Sequence, residues 1–299
     1  APRDDDGGMD RGAVWILLLA GDGTVRAQQK ISNVEGGFTG MLDDSDEFGR
    51  SVAFLGDLDG NGAEDLAVGA VGDDDGASNQ GAVWLLLLEL DGRVKQAAKI
   101  SATSGGFSGT PGVNAAFGAA IAPLEDLDGN GIDDLAVGAE GGGGVGAVWI
   151  LFLNALGTVR SHVEITTGVG GFGGVLDGGD LFGRSVERLD DMNGDGVIEL
   201  AVGAIKDDDG VAGGNTDLGA VWILFLNADG TVAAEQKISA TEGGLRPPAF
   251  EQSDGFFGDA LVSMGDLDGD GVSDLGVGAS HEDRDCFQCG RFWILLLRP

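Results

Sequence analysis

One short phrase is written five times along this chain: Gly12–Leu19 (GAVWILLL), Gly81–Leu88 (GAVWLLLL), Gly146–Leu153 (GAVWILFL), Gly219–Leu226 (GAVWILFL) and Gly290–Leu297 (GRFWILLL). Its tryptophans, Trp15, Trp84, Trp149, Trp222 and Trp293, recur every 65 to 73 residues. A fixed period of this length, filled with strand-sized apolar runs, marks one supersecondary unit repeated in register. No single unit can bury its own apolar face, so neighbouring units must bury it for one another. The expectation is one continuous array, a single domain over residues 1–299, rather than two independent domains.

The second unit shows the internal plan. Phe48–Leu55 reads as a short strand and Asp57–Asp65 as a polar loop, followed by a small-residue strand, Leu66–Ala70. An acidic, glycine-rich turn then leads into Ala82–Leu88, which is apolar without alternation and therefore reads as a strand covered on both faces. Asp91-Gly92 signals a hairpin, and the more polar Arg93–Ile100 reads as the outermost strand. Glycine recurs too often for helix, and no stripe of period 3.6 exists. Four short antiparallel strands per unit, repeated radially, are the blades of a β-propeller. The fold class expected is all-β, with about four four-stranded blades. Gly-Gly-Phe linkers join the units, and Phe38, Phe107 and Phe172 are expected to cap the core at one rim.

The unit boundaries add a further expectation. Asp4-Asp5-Asp6-Gly7 matches Asp73-Asp74-Asp75-Gly76, so the first strand met is of the third kind, and the last, ending at Leu297, is also of the third kind. The census is 17 strands, five of them third strands, where a closed four-bladed ring takes 16. One terminal strand is surplus. Ala13–Ala20 and Phe292–Leu297 would compete for one slot, and an apolar surplus strand invites pairing with another copy of the chain. A head-to-tail donation of this kind extends into a filament.

The strongest chemical signal is a nonapeptide loop that occurs four times. Oxygen side chains fall at positions 1, 3, 5 and 9: Asp57, Asp59, Asn61 and Asp65; Asp126, Asp128, Asn130 and Asp134; Asp191, Asn193, Asp195 and Glu199; Asp266, Asp268, Asp270 and Asp274. Glycines at positions 4 and 6 allow the positive φ of a tight turn. Hard oxygen donors at this density select calcium over zinc or copper, so about four Ca2+ sites are expected. The opening is similar to that of an EF-hand, but position 12 is Val68, Val137, Val202 or Val277 instead of the bidentate Glu. The site therefore lies between two strands of a blade. Thirteen carboxylates at these positions should repel one another without metal and destabilise the fold.

At these residues a family resemblance appears. Phe48-Gly49, Phe117-Gly118, Phe182-Gly183 and Phe257-Gly258, each followed by the acidic loop and Val-Gly-Ala, resemble FG-GAP repeats, the blades of the integrin α-subunit propeller and of many bacterial surface proteins. The resemblance implies a calcium-binding β-propeller. It also implies a fifth ligand, the backbone carbonyl at position 7: Ala63, Ile132, Val197 and Val272. Asn193 and Glu199 depart from the commonest pattern.

Composition bounds the function. The formal net charge of −33 repels nucleic acid and anionic lipid, and no apolar run approaches a membrane span. No basic segment followed by an apolar one opens the chain, so any signal peptide is expected to be already removed. Cys286 and Cys289, in a CFQC turn, admit a local disulfide, free thiols or a redox or zinc site. His162 and His281 read as surface residues. No nucleophile–base set or open catalytic metal site stands out, and an enzyme is not expected. The reading is an extracellular, calcium-stabilised structural or adhesive module that pairs with copies of itself; the alternative is a propeller that binds a glycan or protein, as a monomer or as part of a longer repeat array, which would equally account for the surplus strand.

Overall fold

The computed structural model describes residues 1–299 except 142–143, 156, 209–216, 246–254, 282–289 and 299. Cys286 and Cys289 lie outside the described residues. Those described form seventeen β-strands and no helix, so none is long and apolar enough to cross a membrane. All the strand pairs are antiparallel, and within each sheet every strand pairs with its neighbour in sequence. An N-terminal pair, β1 (Ala13–Leu19) and β2 (Val25–Ser32), precedes three complete blades. These are β3–β6 (Phe48–Phe54, Leu66–Ala70, Ala82–Leu88, Val94–Ile100), β7–β10 (Phe117–Pro123, Leu135–Ala139, Ala147–Leu153, Val159–Ile165) and β11–β14 (Phe182–Leu189, Glu199–Ala204, Ala220–Leu226, Val232–Ile238). A last blade holds three strands, β15 (Phe257–Gly265), β16 (Asp274–Ala279) and β17 (Arg291–Leu295).

The architecture is a propeller-type array, and its strand census is the one read from the sequence. The ends do not compete for one slot, however. β1 and β2 pair with each other and stand as a half-blade before the first full blade, bridged to it through Gly12 and Phe48. The inner strands pack in succession, β3 on β7, β7 on β11 and β11 on β15.

The core lies between blades. Val83 and Leu85 of one sheet meet Ile121, Leu135 and Val137 of the next, and Val148 and Ile150 meet Leu200 and Val202. Each first-strand phenylalanine, Phe48, Phe117, Phe182 and Phe257, is wholly buried. The linker phenylalanines complete this layer as expected: Phe38, Phe107 and Phe172 stack on Phe48, Phe117 and Phe182 and set their edges against Trp84, Trp149 and Trp222. His162 is no surface residue; it packs on Phe107 and Trp149. The inner strands also carry a chain of ion pairs. Arg184 Nη1 lies 3.0 Å from Glu140 and its Nε 3.1 Å from Asp259, while Arg50 reaches Glu140 at 3.7 Å. Four blades are thereby tied by charge as well as by packing.

Three central tryptophans, Trp84, Trp149 and Trp222, are 3–6% exposed, whereas Trp15, on the half-blade, is 45% exposed. Trp222→Ala is expected to cost ~3–5 kcal/mol in denaturant unfolding, and Trp15→Ala much less. Iodide should quench Trp15 selectively; equal quenching of Trp84 would contradict this packing.

The acidic turns are more than solvated loops. Asp46 is buried, accepts the Asp43 N–H at 2.8 Å and lies beside the buried Asp73. Burial pushes its carboxyl up to about 7, with the negative Asp73 adding to the rise and the Asp43 N–H opposing it. A folded-state value above the unfolded one means that the native state holds the proton more tightly. The associated stability is fully present below the unfolded carboxylate value and is lost as pH rises through about 7. Asp46→Asn, which keeps an acceptor without the charge, should therefore raise the melting temperature at pH above 7, with a gain that shrinks on acidification. A gain independent of pH would contradict this.

Candidate metal centres

The four acidic loops each connect the first and second strands of a blade. Their shape is set by backbone N–H groups donating to the loop's own side chains. Asp57 accepts from Asn61 N at 3.0 Å and Gly62 N at 2.8 Å, and Asp126 accepts from Asn130 N at 2.8 Å and Gly131 N at 2.6 Å. Asp191 and Asp266 accept from the equivalent Gly196 and Gly271, at 2.8 and 2.9 Å. The position-6 glycines, Gly62, Gly131, Gly196 and Gly271, have φ between +87° and +92°, as the turn requires. Position 5 closes the turn: Asn61, Asn130, Asp195 and Asp270 each accept the N–H two residues on.

Position 9 joins the loop to the sheet. Asp65 is fully buried at the start of β4, and its two oxygens accept Leu58 N at 2.9 Å and Leu88 N at 2.8 Å. Asp134 does the same with Leu127 and Leu153, and Asp274 with Leu267 and Leu297. Burial pushes the Asp134 carboxyl up to about 6, against its backbone donors, and pushes Asp65 up as well. A divalent cation within reach would reverse both shifts.

Carboxylate oxygens at positions 1, 3 and 9 converge within 4.8 Å in three loops: Asp57, Asp59 and Asp65; Asp126, Asp128 and Asp134; Asp266, Asp268 and Asp274. Three hard, anionic donors meeting at one point suit Ca2+. The third loop keeps the turn and carries an amide, Asn193, where the other three carry a position-3 carboxylate. Asn193 donates to Asp195 at 3.0 Å, and Glu199 accepts Met192 N at 2.7 Å, the bond that Asp65 makes with Leu58 N. Burial pushes Glu199 up to about 7. Ala63, Ile132, Val197 and Val272 occupy position 7 of these turns.

Two partners of the loops escaped sequence reasoning. Lys95, the second residue of β6, sets its ammonium 2.6 Å from Asp59, and Arg160, in the same place on β10, pairs with Asp128. The hydrogen bond from Lys95 holds Asp59 below the usual carboxylate range. The third blade shows the signal that could have revealed them: where position 3 is Asn193, the matching residue of β14 is Ala233.

The family comparison agrees with this geometry. An FG-GAP repeat model matches residues 48–86 and 117–151. The chain carries FG-GAP repeats. It is 32% identical over 180 residues to integrin alpha-PS2 of Drosophila melanogaster, covering 56% of this chain and 12% of that protein. It is 38% identical over 175 residues to integrin alpha-5 of Xenopus laevis, 56% of this chain and 15% of that one. Integrin alpha-IIb of Homo sapiens is 34% identical over 167 residues, 52% and 14%. The matches thus cover only a small part of each relative's length. The two stretches that match the FG-GAP repeat model contain the acidic loops Asp57–Asp65 and Asp126–Asp134.

If the loops bind Ca2+, chelator should lower the melting temperature markedly. In calcium, Asp59→Ala should cost more stability than Asp74→Ala, since Asp74 is exposed in the acidic turn and outside the convergence. Equal effects of the two substitutions, or an unchanged melting curve in chelator, would refute the assignment.

Proposed function

We propose that this FG-GAP propeller is an extracellular, calcium-stabilised adhesive module whose partners include further copies of itself. The chain's role is to bind, not to catalyse: its gathered carboxylates stand at metal-loop spacing, and calcium held there neutralises them and stiffens one rim. The likeness to integrin α-subunits supports an adhesive role at the cell surface or beyond it.

The observation that carries self-association is a pair of apolar strands, each with one edge that no other strand joins among the described residues. β1 shows Trp15, Leu17 and Leu19 to solvent, and β17 shows Phe292 and Ile294, with Leu296 exposed just beyond it. The edge of β17 stands where a fourth strand pairs in every complete blade, and β1 offers a hydrogen-bonding edge of matching apolar character. Pairing β17 of one copy with β1 of the next would make a continuous five-stranded sheet and bury both rows. Such a contact joins different surfaces of the two copies, so it propagates head to tail.

One observation favours the second reading, an extracellular glycan or protein ligand. A cavity of about 550 Å3 opens where β3, β7, β11 and β15 converge, lined by Phe54, Pro123, Glu187 and Arg188 among others. Light scattering in calcium separates the two. Self-association predicts a mass that rises with concentration above 30.3 kDa and falls to that value in Leu17→Asp and Ile294→Asp. Both side chains are already exposed, so the fold should persist. A wild-type monomer at high concentration, or a larger species unmoved by either substitution, would reject strand pairing.

A further inference from the structure

One polar arrangement recurs in three places, and a fourth departs from it. The third-strand tryptophan stands opposite a fourth-strand lysine: Trp15 opposite Lys30, Trp84 opposite Lys99, Trp222 opposite Lys237. Each ammonium lies over its indole ring, 5.7, 5.5 and 5.2 Å from the centroid. Each is also held by the acidic turn: Lys30 by Asp4 and Asp6 at 2.8 and 2.6 Å, Lys99 by Asp73 and Asp75 at 2.5 and 2.7 Å, Lys237 by Asp207 at 2.7 Å. A cation between an aromatic face and carboxylates satisfies both.

In the blade β7–β10 the tryptophan remains and the cation is gone. Trp149 stands opposite Glu164. The turn between β8 and β9 is four residues shorter than that between β4 and β5 and contains no aspartate, and Ala115 takes the place held by Asp46 in the blade before. A cavity of about 230 Å3 is left, lined by Trp149, Glu164, Thr166, Pro111 and Ala115. Its mouth passes Gly112 and Gly144, both exposed. Among the described residues the Glu164 side chain has no ion-pair or hydrogen-bond partner, and partial burial pushes its carboxyl up. The other titratable group against Trp149 is His162, which burial lowers and so keeps neutral above the ordinary imidazole range. The blade therefore offers a cavity bordered by a largely buried indole and one uncompensated acid, in a space smaller than a drug-sized ligand needs.

We propose that this cavity is a binding site for an alkylammonium group, either of a small free amine or of a lysine side chain, seated on Trp149 with Glu164 as its counter-ion. The incoming cation supplies what Lys30, Lys99 and Lys237 supply internally in the other blades. This site is independent of the calcium loops and of the strand edges.

The test is an NMR titration of the full-length, 15N-labelled, calcium-loaded chain. Its indole N–H signals are assigned by single Trp→Phe substitutions, and n-butylammonium chloride is added at constant ionic strength. The Trp149 signal should move saturably, with a Kd in the millimolar range, while Trp84 and Trp222 stay fixed. n-Butanol should produce no saturable shift. Glu164→Gln is nearly isosteric and should leave the other indole signals in place while weakening binding about tenfold or more, the loss of one charge-assisted contact. Glu164→Lys should abolish it by supplying the cation internally. A capped Gly-Lys-Gly peptide distinguishes the sources: binding as tight as that of butylammonium assigns the site to lysine side chains, and binding of butylammonium alone assigns it to free amines. No saturable shift at Trp149, an equal response to butanol, or unchanged affinity in Glu164→Gln overturns the proposal.

Discussion

Each blade is locked to the next through backbone. The residue before the repeated glycine, Arg11, Gln80, Val145 or Leu218, offers its carbonyl to the N–H of the next blade's Phe48, Phe117, Phe182 or Phe257 at 2.9–3.0 Å. The glycine itself, Gly12, Gly81, Gly146 or Gly219, has φ between +85° and +91°, and a methyl group there would overlap the phenylalanine's carbonyl oxygen. Two motifs that look unrelated in sequence, Gly-Ala-Val-Trp and Phe-Gly, are thus the two sides of one contact. It explains why both are glycine-bearing. It also places the first strand, and hence the acidic loop that follows it, at the same depth in every blade.

That placement makes the loops structural elements as well as candidate ligands. Position 9 caps the sheet: the Asp65 oxygens that would face an ion also hold the N–H of Leu58 and Leu88. An ion at the site would favour the ionised form of a carboxylate that burial otherwise pushes towards neutrality. Cation binding and strand order are coupled through the same atoms. Lys95 and Arg160 work on the same charge from the other side, each compensating a position-3 carboxylate from the outer strand.

Much of this was legible in the sequence because the period exposes it. Strand kinds, their number, the buried tryptophans and phenylalanines and the four loops all follow from residues that recur at a fixed phase. The polar pairs did not follow, because they join residues brought opposite only by sheet register. Lys99 lies 26 residues from Asp73, and Lys95 lies 36 from Asp59, and both read locally as ordinary charges on an outer strand. His162 was misjudged for the same reason: its strand is polar, yet it borders the Phe107–Trp149 layer. The relation between the two ends depends on blade geometry, which no single repeat encodes.

Repetition also sharpens what a departure means. A lone glutamate beside a tryptophan would pass as a solvated acid on a surface strand. Here three sister blades define what that position is for: an ammonium over an indole, held by aspartates. In the fourth case the lysine, the acidic turn and the equivalent of Asp46 are all missing together. Changing the lysine alone would strand buried aspartates, and removing the aspartates alone would strand a buried ammonium; either leaves an uncompensated charge of the kind proteins avoid. Losing both sides leaves the blade electrically tolerable and folded, but it also leaves a cavity beside the tryptophan. Glu164 then adds a charge of the sign opposite to the one removed. The chain has thus kept the aromatic half of a cation site and placed an acid at the strand position where the lysine stands in the other blades, giving up the cation that elsewhere fills it.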